Sequence, residues 1–549
     1  MKPLVLILLI IFNTFVAFTQ APNIQWAKCY GGSRTEYANS IIQDRAGNFV
    51  FGGQSFSANG DVTDHHGGIG NTLPDFWIVK LNDTGKLLWE RSYGGTNGDG
   101  CNKIIQTNDG NYIAVGTTFS HTADAVGNHD TTKPTLSGTG DILVIKIATN
   151  GLVLWEKCYG GTNNEYGYDI QQTNDNGYII AGTASSTDGD VKGMHNGSGG
   201  IPATNMWVVK IDDTGKLQWQ KCLGGSYFDQ AFAIRQTKSN NYIVCGGASS
   251  TDGDITRPLG KGDAWVVKLD DTGTIIWQRT LGGSDFDIFS SIVLNPEGNY
   301  VFAGSTRSND SMVSGNHLDT AGKPTEDAWI VKTDTDGNIL WQKLYGGSGT
   351  EIVNDVKLTI DSGFILNGSS TSNDGDVHFN YDADSGYVED MWVLRLDANG
   401  DTLWSRVLGG TGYDGGNSIA QTSDSFYVAA GFTSSRDHDV TGNRSADAAW
   451  VVRLSNKLLP AAVSQPYAVA PTMTIYPNPS RNSFVLQYCL PGDANMDITD
   501  ISGKVIYKVS LLKNSKRATI NAERWPPGMY FYKVMQNGKV LYKGKLLKE

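Results

Sequence analysis

The chain has 549 residues, 39% of them hydrophobic and 10% aromatic, enough to fill cores in more than one domain. Its 66 glycines against 16 prolines suit many short strands joined by tight turns rather than a disordered polymer. The formal charge of −12 divides into about −19 before Pro471 and +7 from there on; an acidic main body excludes nucleic acid and anionic membrane as partners and leaves cations, neutral glycans and proteins.

The N-terminal stretch "MKPLVLILLIIFNTFVAFTQ" has one Lys ahead of an apolar run from Leu4 to Phe18, with Ala17 and Thr19 as small residues near a cleavage point. Residues 1–20 therefore read as an export signal peptide, too short to stay as a membrane span. No other apolar run approaches the roughly 20 residues of a transmembrane helix.

From Trp26 onward the sequence repeats. "GG[ST]" begins at Gly31, Gly94, Gly160, Gly224, Gly282, Gly346 and Gly409, with spacings of 58 to 66 residues, and a Trp stands five residues before each. An aromatic follows 18 residues after each first Gly, and a further Gly 22 residues after it. In the second copy, "NKIIQT" (102–107) and "YIAVGTTF" (112–119) flank the turn "NDGN", and "DILVIKI" (141–147) and "LVLWEKCY" (152–159) flank "ATNG". Two hairpins per copy give four strands, A to D, in seven copies. A four-stranded unit cannot bury both faces alone, so seven of them predict a seven-bladed β-propeller over residues 21–456. The first copy is preceded by a lone D strand, "IQWAKCYGG", and the last ends in a lone C strand, "AWVVRL". The N-terminal strand should therefore close the last blade and leave no open edge.

The gap between the strand B Gly and the strand C Trp position varies from 19 to 27 residues, while the two hairpins are fixed. The variable B–C connections share one face with the D–A crossings, and variable loops on a rigid scaffold are where binding resides. The elements "YGG" plus an acid, "GNY" and "DAWVVKLD" across 24 to 456 resemble the bacterial SBBP-type propeller repeat. That resemblance implies the fold and no defined activity.

Three sets of side chains invite a functional reading. An acid stands five residues after each first Gly, at Glu36, Asp99, Glu165, Asp229, Asp287, Glu351 and Asp414, and a base two residues after each D-strand Trp, such as Lys28, Arg91 and Arg279. Seven carboxylates could ring a cation; the matching bases favour instead an ion pair repeated from blade to blade. In the B–C loops, "DGDV"-type stretches place Asp188 and Asp190, Asp252 and Asp254, Asp374 and Asp376, and Asp437 and Asp439 one residue apart. Such pairs are candidate Ca²⁺ ligands, although no twelve-residue loop with a closing Glu follows and Asp-Gly also simply makes turns. Cys29, Cys158 and Cys222 share one repeat position and read as small buried thiols rather than disulfide partners, and adjacent His65 and His66 read as a solvated loop. No H-E-x-x-H, G-x-S-x-G or C-x-x-C pattern occurs. "DDTGKLQW" resembles the Trp-bearing repeat of quinone-dependent dehydrogenase propellers, but the eight blades and adjacent cysteines of that family are missing.

After a linker at 457–472, residues 473–549 carry "IYPNPSRNSFVLQY", "ITDISGKVIYKV", "WPPGMYFYKV" and "GKVLYKGKLLKE", alternating strands that predict a small immunoglobulin-like β-sandwich. They resemble the type A C-terminal sorting domain of the Bacteroidetes type IX secretion system. The matching residues are Tyr476, Pro477, Asn478 and Pro479, then Asp500, Gly503 and Lys504, then Gly528 and Tyr530, and the basic end at Lys545 and Lys548. The resemblance implies the type IX machinery as partner, and a secreted or outer-membrane-surface destination. The expectation is an all-β, non-enzymatic surface module binding a glycan or protein. The alternative is an extracellular carbohydrate-active enzyme, with paired carboxylates at the channel mouth.

Overall fold

The computed structural model describes residues 21–67, 73–122, 124, 127–129, 139–198, 202–319, 321–381, 388–455, 472–476, 478–489, 493–512, 517–536 and 539–549. Residues 1–20, read above as a signal peptide, most of the linker, Pro477 and parts of several B–C connections lie outside these residues. The chain divides into two compact units after Leu458.

The first unit is a ring of seven four-stranded antiparallel sheets. In the first sheet, strand A is Glu36–Gln43, B is Phe49–Ser55, C is Asp75–Leu81 and D is Leu87–Tyr93. Five more sheets follow the same order, beginning at Asp99, Glu165, Asp229, Asp287 and Glu351. The seventh takes A, B and C from Asp414–Gln421, Tyr427–Thr433 and Ala448–Leu454, and its D strand is Ile24–Tyr30 from the start of the chain. Ala27 pairs with Val452 and Tyr30 with Ala449, so the ring closes as the sequence predicts.

Strands B and C are buried almost throughout because both of their faces meet a neighbouring blade. Trp77, Trp207, Trp265, Trp329, Trp392 and Trp450 fill the inter-blade space completely. An indole N–H so buried requires an acceptor. Glu90, Gln220, Gln278, Gln342 and Ser405, one residue after the D-strand Trp, supply it at 2.7 to 2.9 Å. In the closing blade Ala27 occupies that place, and the Trp450 indole N–H is left without a partner.

The D strand also grips the next blade. Trp26 and Lys28 donate to the carbonyls of Asp83 and Thr84, and the Tyr30 hydroxyl to that of Gly85. Gly85 has a φ of +72°, and a Cβ there would lie 3.0 Å from the Trp26 ring. The repeated Trp–x–base run and the "DTGK" hairpin are thus the two halves of one clasp.

Every strand A carries a β-bulge at the same place, for example between Ala38 and Ser40 and between Val353 and Asp355. The bulged residue turns toward the next blade. Asn39, Asn102 and Asn354 donate to the carbonyls of Cys101, Gly167 and Gly416 at 2.8 to 2.9 Å.

In the second unit, a three-stranded and a four-stranded sheet enclose a core that includes Phe484, Met496, Ile520 and Val534. This is the β-sandwich predicted from the sequence. No helix among the described residues is long and apolar enough to cross a membrane.

Candidate functional site: the loop face

The face built from B–C and D–A connections holds the strand A acids and the paired B–C aspartates singled out in the propeller sequence. The seven acids at the head of strand A are all buried. None of them meets a base. Each accepts the N–H of the second Gly of its "GG[ST]" motif at 2.7 to 3.1 Å. Asp99, Asp229, Asp287 and Asp414 also accept a Ser hydroxyl, from Ser120, Ser250, Ser308 and Ser435. The expected acid–base clamp is therefore incorrect. Strand C bases point to the opposite hairpin face, where Lys80, Lys146 and Lys210 pair with Asp44, Asp109 and Asp175 at 2.8 to 2.9 Å.

Burial without a counter-cation has an electrostatic consequence. Desolvation raises the pKa of all seven carboxyls against the pull of their hydrogen bonds, to about 7 for Glu36 and about 6 for Asp99.

The "GG" pair exists to admit these carboxylates. A Cβ on Gly31 or Gly282, both at positive φ, would stand 2.1 Å from a carboxylate oxygen of Glu36 or Asp287. A Cβ on the second Gly would meet the first acid of the B–C pair, as Gly225 meets Asp252 at 2.3 Å. That first acid is a cap: Asp188, Asp252, Asp374 and Asp437 accept the N–H of Thr162, Ser226, Ser348 and Thr411 at 2.7 to 2.8 Å. The second acid closes the lock. Asp254 and Asp376 accept the N–H of Gly224 and Gly346 at 3.1 Å, and the Asp190 and Asp439 backbones donate to Gly160 and Gly409. Among the described residues no group of three or more His, Cys, Asp or Glu is gathered as a metal site.

One serine completes each lock and escaped the sequence reading. Ser57, Ser120, Ser186, Ser250, Ser308, Ser372 and Ser435 stand four residues after the strand B Gly in all seven copies. Each hydroxyl accepts the N–H of the residue after "GG[ST]" at 2.7 to 3.0 Å.

Outside the locks, the second acids meet the previous blade. His129 binds Asp141 of its own strand C at 2.6 Å and turns Nε2 to within 3.8 Å of Asp190. His195 approaches Asp254 at the same distance, and the Tyr381 hydroxyl donates to Asp439 at 2.9 Å. His317 binds Asp327 at 2.6 Å. His65, read as solvated, has a fully buried side chain beside Asp75, which His66 also faces. The carboxylates hold His66, His129 and His317 above the usual imidazole range. Cys101, Cys222 and Cys245 are buried free thiols, and Cys29 and Cys158 are half-buried ones.

Aromatics break the seven-fold regularity. The residue before each strand A acid is Thr35, Gly98, Asn164 or Thr350 in four blades, but Phe228, Phe286 and Tyr413 in blades four, five and seven. These three are 51%, 49% and 51% exposed. Phe228 and Phe286 line a cavity of about 430 Å³ between adjacent blades, together with Gln230, Ile288, Ser249, Arg307 and Glu326.

In the second unit, Asn478 accepts the Leu547 N–H at 2.8 Å and donates to the Lys545 carbonyl at 2.9 Å. Tyr476 ends a strand opposite Val485, and Pro479 follows Asn478. Asp500 accepts the Ser502 and Lys504 N–H groups around a turn with Gly503 at φ +84°. Gly528 pairs with the buried Lys548, and the Tyr530 hydroxyl donates to the Pro526 carbonyl at 2.7 Å. These residues thus make turns and cross-strand contacts within the sandwich.

This architecture defines the molecule as a seven-bladed β-propeller followed by a β-sandwich. Residues 474–549 match the secretion system C-terminal sorting domain. The protein is therefore one handled by the type IX system and delivered outside the cell or to its surface. The chain is 26% identical to regulatory protein FlaEY of Caulobacter vibrioides over 315 residues, 52% of this chain and 32% of that protein. It is 20% identical over 332 residues to an uncharacterised WD repeat-containing protein of Acanthamoeba polyphaga mimivirus, 48% of this chain and 24% of that one. It thus spans a third or less of the length of either relative. Similar solved structures include a fungal alcohol oxidase in complex with copper, at 11% identity, 96% and 99% coverage and a TM-score of 0.44. An ulvan lyase matches at 10% identity, 74% and 93% coverage and a TM-score of 0.36.

Proposed function

We propose that the protein is an extracellular, non-enzymatic binding module whose ligand, a glycan or a protein, docks on the loop face. A leader at residues 1–20 carries the chain across the inner membrane, and the sandwich directs the second passage. The observation that carries this reading is the lock. The repeated carboxylates that could have formed a catalytic pair are each occupied by a glycine N–H, and six of the seven also by a side-chain hydroxyl; they fasten the loops from which binding groups project. Rigid loops lower the entropic cost of binding.

The test is a binding and turnover screen on the full secreted chain, with soluble polysaccharides and with surface proteins from cells of the same habitat. Ligand retention lost on exchanging the B–C segments among blades, with no products released, is the expected result. Released oligosaccharide, or retention indifferent to every loop-face exchange, would remove the reading.

A further inference from the structure

We propose that the cleft between blades four and five is a saccharide subsite that takes a pyranose unit of a neutral polysaccharide. The proposal rests on the loop-face reading and specifies its ligand.

Two half-exposed phenyl rings on a secreted protein line one cavity of about 430 Å³, within the size range of small-ligand sites. Neither ring is needed by the repeat, since four other blades place Thr, Gly or Asn at that position. Their position is fixed. Phe286 lies against Gly262, where a Cβ would be 2.9 Å from the ring, and its backbone bridges to that Gly. Phe228 is bridged in the same way to Thr204. A preformed pair of flat apolar surfaces suits a ligand that has flat C–H faces and a polar edge, which is the shape of a pyranose ring.

The edge of the cleft supplies what the hydroxyls of that ring require. Arg307 donates Nε and Nη2 to Glu326 Oε2 at 2.8 and 2.6 Å, and Ser305 donates to Glu326 Oε1 at 2.8 Å. The guanidinium keeps N–H donors beyond that pair, and the amide of Gln230 and the hydroxyl of Ser249 belong to the same lining.

Charge decides between neutral and acidic sugars. Arg307 is committed to Glu326, and Lys261, beside Phe286, is committed to Asp285 at 2.9 Å. The cleft therefore presents no uncommitted cation to a uronate, while Asp287 also lines it. A uronate would meet carboxylates without a free counter-charge, and a neutral sugar pays no such penalty.

The test is affinity electrophoresis of the full secreted chain through gels containing mixed-linkage β-glucan, xylan, galactomannan or polygalacturonate, followed by titration calorimetry with oligosaccharides of the retarding polymer. At least one neutral polymer should retard the protein. Phe228→Ala and Phe286→Ala should each weaken binding about tenfold or more, and the double variant should abolish it. Tyr413→Ala, at the same repeat position on blade seven, should bind as the parent does. Both Phe side chains are half-exposed, so unchanged far-UV circular dichroism and melting temperature should accompany the loss. Undiminished binding by the double variant would overturn the site. Retardation by polygalacturonate alone, or by no polysaccharide, would overturn the ligand class. Where B–C exchanges abolish binding of a protein ligand instead, the loop-face reading stands and this proposal falls.

Discussion

Raising the pH from about 4.5 to 8 should destabilise the propeller, and the seven locked carboxyls set the size of the effect. Each has a folded-state pKa above its ordinary value because burial disfavours the charged form. A raised pKa means that the folded protein binds protons the unfolded chain has already released. The stabilisation is complete below the ordinary carboxylate range and is lost as the pH rises through the folded value. For Glu36, raised from 4.5 to about 7, and Asp99, raised from 3.8 to about 6, one unit is about 1.4 kcal/mol, so across that window Glu36 loses about 3 kcal/mol and Asp99 about 2 kcal/mol. The other five act in the same direction. The raised pKa values of His66, His129 and His317 add to it, since their ion pairs are also lost as the pH rises. Opposing carboxyls such as Asp44, Asp175 and Asp361 have lowered values and act only below the ordinary carboxylate range, and the buried Lys357, lowered to about 8, opposes only at the alkaline end. Thermal unfolding followed by circular dichroism at constant ionic strength should show a melting temperature at least roughly 5 °C lower at pH 8 than at pH 5. Glu36→Gln with Asp99→Asn should flatten the slope. A melting temperature that is level or rising over this range, or a double variant with the parent slope, would refute the reasoning.

Gly282→Ala should cost about 2–4 kcal/mol in chemical denaturation, because φ is +141° and the Cβ would stand 2.1 Å from Asp287. Gly298→Ala, at φ +93° but with nothing within 4 Å, should cost only the backbone strain of about 1–2 kcal/mol by the same measurement, less than Gly282→Ala. Ser120→Ala removes a partner from both the Asp99 carboxylate and the Asn97 N–H and should destabilise by about 1–3 kcal/mol. Deleting Ile24–Tyr30 opens the seventh sheet and exposes its C strand; the melting transition should broaden and fall, and size-exclusion chromatography should show association through the bare edge. Removing 474–549 should leave the propeller inside the outer membrane, as read by cell fractionation.

The blades, their number and the closure by "IQWAKCYGG" were legible in the sequence because period-2 hydrophobicity and tight turns are local signals repeated seven times. The partners of the repeated groups were not, because partnership is a matter of direction. The acids and bases of each copy alternate along the chain, yet they sit at opposite ends of the sheet, so Lys80 reaches Asp44 while Asp99 reaches Ser120. The invariant serine four residues after the strand B Gly was available as a signal; its pairing with the residue after "GG[ST]" joins segments 23 residues apart that only the fold brings together. The bulge on strand A leaves no composition signature beyond the recurring Asn. The aromatic cleft was visible as "GGSYFD" and "GGSDFD", two adjacent copies that depart from the pattern, and the regularity of the surrounding motif obscured it.

The seam between Ile24–Tyr30 and Ala448–Leu454 also imposes an order of events on export. A chain that emerges from its N-terminus must hold its first strand unpaired until six blades have formed, because its partner is made last. Only a short stretch then separates that partner from the first strand of the sorting domain at Thr472. The address that sends the protein outward therefore becomes complete just after the residues that make the ring whole. A chain cut short anywhere in the propeller lacks both its latch and its passport, so this arrangement withholds incomplete rings from the cell exterior without a separate inspection step.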